Sequence, residues 1–154
     1  MSYGVDKRGE RYGQPRMNPS MSRRDVGSLN ASSPFLHLPR SAWLASNRSA
    51  FAIPDGYPVT TGHALVVTHR PIRDWWEATA EERADVLALV DEVRALLDAE
   101  HAPDGYNVGF NAGAAAGQTV DHLHVHVIPR YDGDVADPRG GVRHVIPGKG
   151  NYLA

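Results

Sequence analysis

Between residues 33 and 131 the chain breaks into short apolar blocks whose period changes along the way. Residues 41–47 and 49–53 are two apolar stretches parted by Asn47-Arg48, the pattern of two strands joined tightly. Asp55-Gly56 and Pro58 then punctuate the chain. Residues 62–68, Gly-His-Ala-Leu-Val-Val-Thr, have the composition of a third strand. From 74 to 100 the period lengthens to that of a helix. Val86, Leu89, Val90, Val93, Leu96 and Leu97 form its apolar stripe, and Asp85, Asp91, Glu92 and Asp98 lie mostly off it. Thr79 and Glu82 have capping-box spacing, which satisfies two free amide donors at a helix start. Trp75 and Trp76, just ahead of the capped part, read as packing residues. Pro103, Asp104 and Gly105 end the helix, and residues 106–110 predict a fourth strand. A small-residue loop, Asn-Ala-Gly-Ala-Ala-Ala-Gly, fills 111–117, and 122–128 predicts a fifth strand stopped by Pro129. A short helix is expected near Pro34. Strands outnumber helices and the hairpins are close, so an antiparallel α+β architecture follows over residues 33–154, rather than a doubly wound parallel sheet.

Residues 1–32 show no such pattern. They hold six basic side chains against three acidic ones and few aliphatic residues, too few to offset the entropy of ordering. They are expected to form a flexible basic arm, with a solvated extension favoured over a docking arm for an anionic partner. At 154 residues one domain is expected, with enough length for a core. With no cysteine, disulfides, thiolate zinc sites, iron–sulfur clusters and cysteine nucleophiles are excluded. The net charge of −2 gives no reason to expect a nucleic-acid or membrane partner. There is no apolar run of the roughly 18 residues a membrane helix needs, and no apolar stretch behind the N-terminal charges, so a cytoplasmic protein is expected.

Chemistry concentrates in Asp121-His122-Leu123-His124-Val125-His126-Val127-Ile128. Three of the eight histidines alternate with aliphatic residues there. On a strand, Leu123, Val125 and Val127 share one face, and His122, His124 and His126 share the other, roughly 6–7 Å apart. Imidazoles in such a row need hydrogen-bond partners, a metal or an anion. A neutral ring can attack phosphorus, and a protonated neighbour can steady phosphate oxygens or a leaving group. His124, flanked on both sides, is the candidate nucleophile. Two histidines of such a strand could also face zinc, although a third sits too far along a straight strand to share the ion. Upstream, Gly113 and Gly117 let backbone amides approach a ligand, and Gln118 and Thr119 add neutral donors, which suits an anion site.

His122-Leu-His124-Val-His126-Val-Ile resembles the motif of the histidine-triad (HIT) superfamily. The resemblance extends through 111–120 and to Phe51-Ala-Ile-Pro-Asp55, with Gly62-His63 beyond. Residues 129–131 and 137–143 look more like the bacterial Fhit-like, dinucleoside-polyphosphate-hydrolase type than the phosphoramidase type. The resemblance implies a five-stranded antiparallel sheet with one long helix, continued across a homodimer. It implies a hydrolase acting on the α-phosphate of a nucleoside polyphosphate, such as a diadenosine tri- or tetraphosphate, through a nucleotidyl-His124 intermediate. His126 would contact the α-phosphate and leaving group, and His122 and His63 would orient the site. Asn111, Gln118, Thr119 and the Gly117 turn would hold phosphate, Asp55 would accept from ribose hydroxyls, and Phe51 and Ile53 would wall a base pocket. No cofactor or protein-bound metal is implied, though a divalent cation could accompany the polyphosphate. Many bacterial relatives carry a zinc-binding Cys-x-x-Cys pair near 33–36, where this chain has Ser33 and Leu36. Histidine rather than glutamine at 126 points to hydrolysis, away from nucleotidyl transfer. Phosphoramidate hydrolysis within the superfamily, nucleotide binding with little catalysis, and a histidine metal site stay open as alternatives. Arg139, Arg143 and Lys149 could reach a longer polyphosphate or form a solvated face.

Overall fold

A computed structural model describes residues 33–152. The strands are β1 (Ala45–Ser46), β2 (Ala50–Pro54), β3 (Ala64–Thr68), β4 (Gly105–Gly109) and β5 (His124–Arg130), and the helix α1 spans Ala80–His101. All neighbours pair antiparallel in the order β1-β2-β3-β5-β4. The α+β architecture expected from the sequence is therefore present. The basic arm expected at 1–32 lies outside the described residues. No helix among the described residues is long and apolar enough to cross a membrane.

One sheet face carries α1. Val86, Leu89, Val90, Val93 and Leu97 pack on Ala50, Ala52, Ala64, Val66, Val125 and Val127. Three alanines in that layer let the helix sit close to the strands. Leu96, expected in the stripe, is 44% exposed instead. It falls at the edge of the buried arc, which Leu97 and Val93 already fill.

Several boundaries differ from the sequence-based expectation, each for a local reason. The helix starts at Ala80, not at 74, because Asp74 caps a separate 3-10 turn over Trp75–Glu77 and the Thr79–Glu82 capping box starts the helix afresh. The first strand shrinks to Ala45–Ser46, and Arg40–Ala42 forms another 3-10 turn. The third strand begins at Ala64 and the fourth shifts to Gly105–Gly109. Pro129 does not stop the last strand. Its carbonyl accepts from Thr60 Oγ1 at 2.7 Å, while β3 pairs with β5 only as far as Val127. The proline's missing N–H thus falls where no strand asks for it.

Gly62 closes the turn before β3 with φ +82°, and a Cβ there would meet His101 Cδ2 at 2.6 Å and Pro129 Cγ at 3.2 Å. Gly62→Ala is expected to lower stability by about 2 kcal/mol, from left-handed strain plus overpacking. A urea midpoint unchanged from the wild type would refute it.

Candidate active site

The second sheet face carries the histidines. Phe51, Val67 and His124 are register partners in one row, and Ile53, Leu65, His126 and Gly109 in the next. Over this face packs the segment with the 3-10 turn Pro34–His37, where a short helix is expected from the sequence. Phe35 lies 5.8 Å from the His122 ring and 5.2 Å from the His124 ring, centroid to centroid. Leu123 points the other way, into a cluster with Ile72 and Ala78. The three histidines thus lie on the expected side, but His122 precedes the strand. The carbonyl of Thr68, at the end of β3, accepts His122 Nε2–H at 2.7 Å, so a ring takes the place of the next ladder bond.

Partners fix the tautomers. A carbonyl can only accept, so His122 carries its proton on Nε2, and Nδ1 accepts from Ser33 Oγ–H at 2.6 Å. His124 Nδ1 lies 2.7 Å from the His122 carbonyl and must donate, which leaves His124 Nε2 with a free lone pair. His63 Nδ1 accepts from the Val59 amide at 3.3 Å, so its proton sits on Nε2. That Nε2–H faces His126 Nδ1 at 3.0 Å. His126 in turn carries its own proton on Nε2. The two rings stand edge to face with centroids 5.2 Å apart, one offering a lone pair and the other an N–H. Trp43 Nε1 is the one buried side-chain polar atom without a partner among the described residues, so both free Nε2 atoms reach solvent.

Burial holds all four rings neutral. It pushes His63, His122 and His124 below the ordinary imidazole value, Asp55 opposing it at His63 and His124. His126 falls to about 4, through burial first and then the neighbouring His124 and His63. A protonated neighbour beside the nucleophile, as expected from the sequence, is therefore replaced by a neutral N–H donor. Asp55 is 9% exposed, and its Oδ2 lies 3.4 Å from His63 Nε2 and 3.9 Å from His126 Nδ1. These three ligand-type atoms are close enough to share a cation. Against that, a ligating His63 Nε2 would move the ring proton to Nδ1, against the Val59 N–H, whereas metal-bound histidines normally donate from their second nitrogen. The trio is wired for protons.

The residues proposed for phosphate separate into two kinds. Gln118 is 8% exposed and its amide is fully engaged. Nε2 donates to the Arg73 and Val120 carbonyls at 2.7 and 3.0 Å, and Oε1 accepts from the Gly113 amide at 2.7 Å. Gln118 therefore braces the loop. Asn111 and Thr119 have side chains with no hydrogen bond among the described residues, Asn111 half-buried and Thr119 exposed. Gly117 turns the loop at φ +86°. Phe51 and Ile53 are 1% and 3% exposed, a floor beneath Phe35, Leu38 and Trp43 rather than a wall open to a ligand. Sequence reasoning missed Ser33, Phe35 and Leu38, which stand in a segment without periodicity. The aromatic ring two residues after Ser33 was their only signal.

Residues 40–133 match the family described as HIT domain. An AP-4-A phosphorylase of Mycobacterium tuberculosis is 32% identical over 120 residues, covering 74% of this chain and 62% of that protein. The chain thus spans less than two thirds of that relative. A bifunctional bis(5'-adenosyl)-triphosphatase/adenylylsulfatase of Arabidopsis thaliana is 31% identical over 107 residues, covering 70% of this chain and 59% of its own. Among solved structures, a HIT family protein from Bacillus anthracis superposes with TM-score 0.58 at 33% identity, over 60% of this chain and 66% of that one.

Proposed function

The chain belongs to the HIT family, and from that premise we propose that it is a hydrolase of dinucleoside polyphosphates that works through a nucleotidyl-His124 intermediate. One observation carries the reading. The His122 carbonyl holds the His124 Nδ1 proton, so a bare Nε2 faces solvent beside an N–H on His126. In the first step the Nε2 lone pair bonds to the α-phosphorus, and the bond from phosphorus to the bridging oxygen breaks. The remaining nucleoside polyphosphate leaves with the electron pair. The His126 N–H steadies charge on the phosphoryl or departing oxygen. The phosphorylated ring is cationic, and the His122 carbonyl stabilises its Nδ1–H. In the second step water attacks phosphorus, the P–N bond breaks and its electron pair returns to Nε2. A nucleoside monophosphate leaves and one proton passes to solvent.

Asp55 accepts from the ribose, Asn111 and Thr119 supply free donors to phosphate, and Gln118 and Gly117 keep the loop in shape. His63 and His122 orient the two working rings, over the floor of Phe51 and Ile53. The chemistry asks for no protein-bound metal, and a divalent cation enters only with the polyphosphate. The neutral state of His126 favours a polyphosphate over a phosphoramidate, because a departing phosphate needs no proton and an amine does. The names of the two relatives, both acting on dinucleoside polyphosphates, agree with that choice. A homodimer is part of the proposal. Among the described residues the outer edge of β4 is unpaired, and Val108, Leu87 and Trp76 are exposed.

The test is a chromatographic product assay on diadenosine triphosphate, diadenosine tetraphosphate and adenosine phosphoramidate. Turnover of the dinucleotides with release of AMP is expected, and cleavage of the phosphoramidate alone would overturn the substrate assignment. The pH dependence follows from burial of the nucleophile. Only neutral His124 attacks, so kcat/KM falls as pH drops through its free-enzyme pKa, which lies below 6.5. An acidic limb centred at or above pH 6.5 would contradict this.

A further inference from the structure

The hydrogen bonds that set His124 begin outside the three histidines, at Ser33. Its hydroxyl accepts from the Phe35 amide at 3.4 Å and caps the 3-10 turn Pro34–His37. A hydroxyl has one proton to give, and here it points at His122 Nδ1, 2.6 Å away. Thr68 fixes the opposite end of the same ring. His122 is completely buried, so neither nitrogen can turn to water for a substitute partner. The carbonyl of this doubly anchored residue then orients His124 through Nδ1. His122 lies ahead of β5, with its own N–H on the Val120 carbonyl at 2.8 Å and the next residue tied by Leu123 N–H to the Ile72 carbonyl at 2.7 Å. These bonds place the backbone, and the two ring anchors set the side chain. Phe35, two residues on, packs against both rings and limits their tilt.

We propose that Ser33 is a positioning residue for the nucleophile: its O–H fixes the ring of His122, and through the His122 carbonyl it holds His124 with the lone pair of Nε2 directed outward. Ser33 does not touch the substrate. The proposal rests on His124 being the nucleophile, and its test includes a readout that does not depend on turnover.

Two measurements decide it. The first is 15N NMR of the imidazoles in the wild-type protein without ligand. It should show His122 protonated at Nε2 with a hydrogen-bonded, bare Nδ1, and His124 protonated at Nδ1. In Ser33→Ala the His122 Nδ1 resonance should shift and His124 should become a mixture of tautomers. The second is kinetics with diadenosine polyphosphate. Ser33→Ala should lower kcat about tenfold, in the range of lost outer-shell partners, with KM changed by less than about twofold. Ser33→Thr keeps the hydroxyl and should recover kcat to within about threefold. If Ser33→Ala does not fold, the wild-type tautomers and the Ser33→Thr enzyme decide the matter. The proposal is overturned by a proton on His122 Nδ1 in the wild type, by an unchanged kcat in Ser33→Ala, or by a loss that threonine does not repair. A wild-type protein inert toward every dinucleoside polyphosphate would sink the hydrolase assignment instead, and the tautomer spectra would still accept or reject the role of Ser33.

Discussion

His124→Ala is expected to reduce turnover of diadenosine polyphosphate by at least about 10⁴-fold, the scale seen when a covalent nucleophile is removed. The reason lies in the geometry. Of His63, His122, His124 and His126, only His124 offers an unprotonated ring nitrogen that is both solvent-accessible and free of a protein partner, because its other nitrogen is committed to the His122 carbonyl at 2.7 Å. His126 cannot substitute in the same orientation. Its Nδ1 takes the His63 proton and its Nε2 carries one. His126→Ala should therefore cost less, about 10²–10³-fold, since it removes a donor and not the attacking atom. Both variants should keep nucleotide binding, which equilibrium titration with AMP would check. Turnover in His124→Ala within tenfold of wild type would end the covalent account.

The largest stability effect is expected at the opposite sheet face. Leu89 is fully buried where α1 meets Ala50, Ala52, Ala64 and Val66. Leu89→Ala should cost about 3 kcal/mol, from lost transfer free energy plus a cavity that small alanine neighbours cannot collapse to fill. Leu96→Ala is the control. It sits on the same helix, is 44% exposed, and should change stability by no more than about 0.5 kcal/mol. Urea denaturation of the two variants compares them directly. Equal losses would mean that the helix presents a different face to the sheet.

That pair also marks what the sequence made legible. The recurrence of Val86, Leu89, Val90, Val93 and Leu97 depends on one helix alone, so it could be read from residues in order. The Thr79–Glu82 box, both of whose bonds form, is equally local. Alternation along 123–127 placed His124 and His126 together opposite Val125 and Val127, again by strand geometry alone. What could not be read depends on groups distant in the chain. His122 leaves the strand because of the Thr68 carbonyl, 54 residues earlier. Gln118 and Asn111 look alike as polar residues of one loop. Gln118 is engaged by the Gly113 amide and the Val120 carbonyl of its own loop and by the distant Arg73 carbonyl, while Asn111 is left open among the described residues. Asp55 and His63 were legible only by resemblance, because no periodicity connects a turn after β2 with a ring on β5. Ser33 joins His122 across 89 residues, from a segment with neither strand nor helix period.

The central claim is a bond between His124 Nε2 and phosphorus, and a rapid-quench experiment tests it most directly. The enzyme is mixed with diadenosine polyphosphate labelled at the α-phosphate, denatured within milliseconds in alkali, which preserves phosphoramidate linkages, and digested for mass spectrometry. The account predicts label on the peptide holding His124, lost on mild acid treatment and absent from His124→Ala. Brisk turnover with no labelled protein, or label on a different residue, would contradict it.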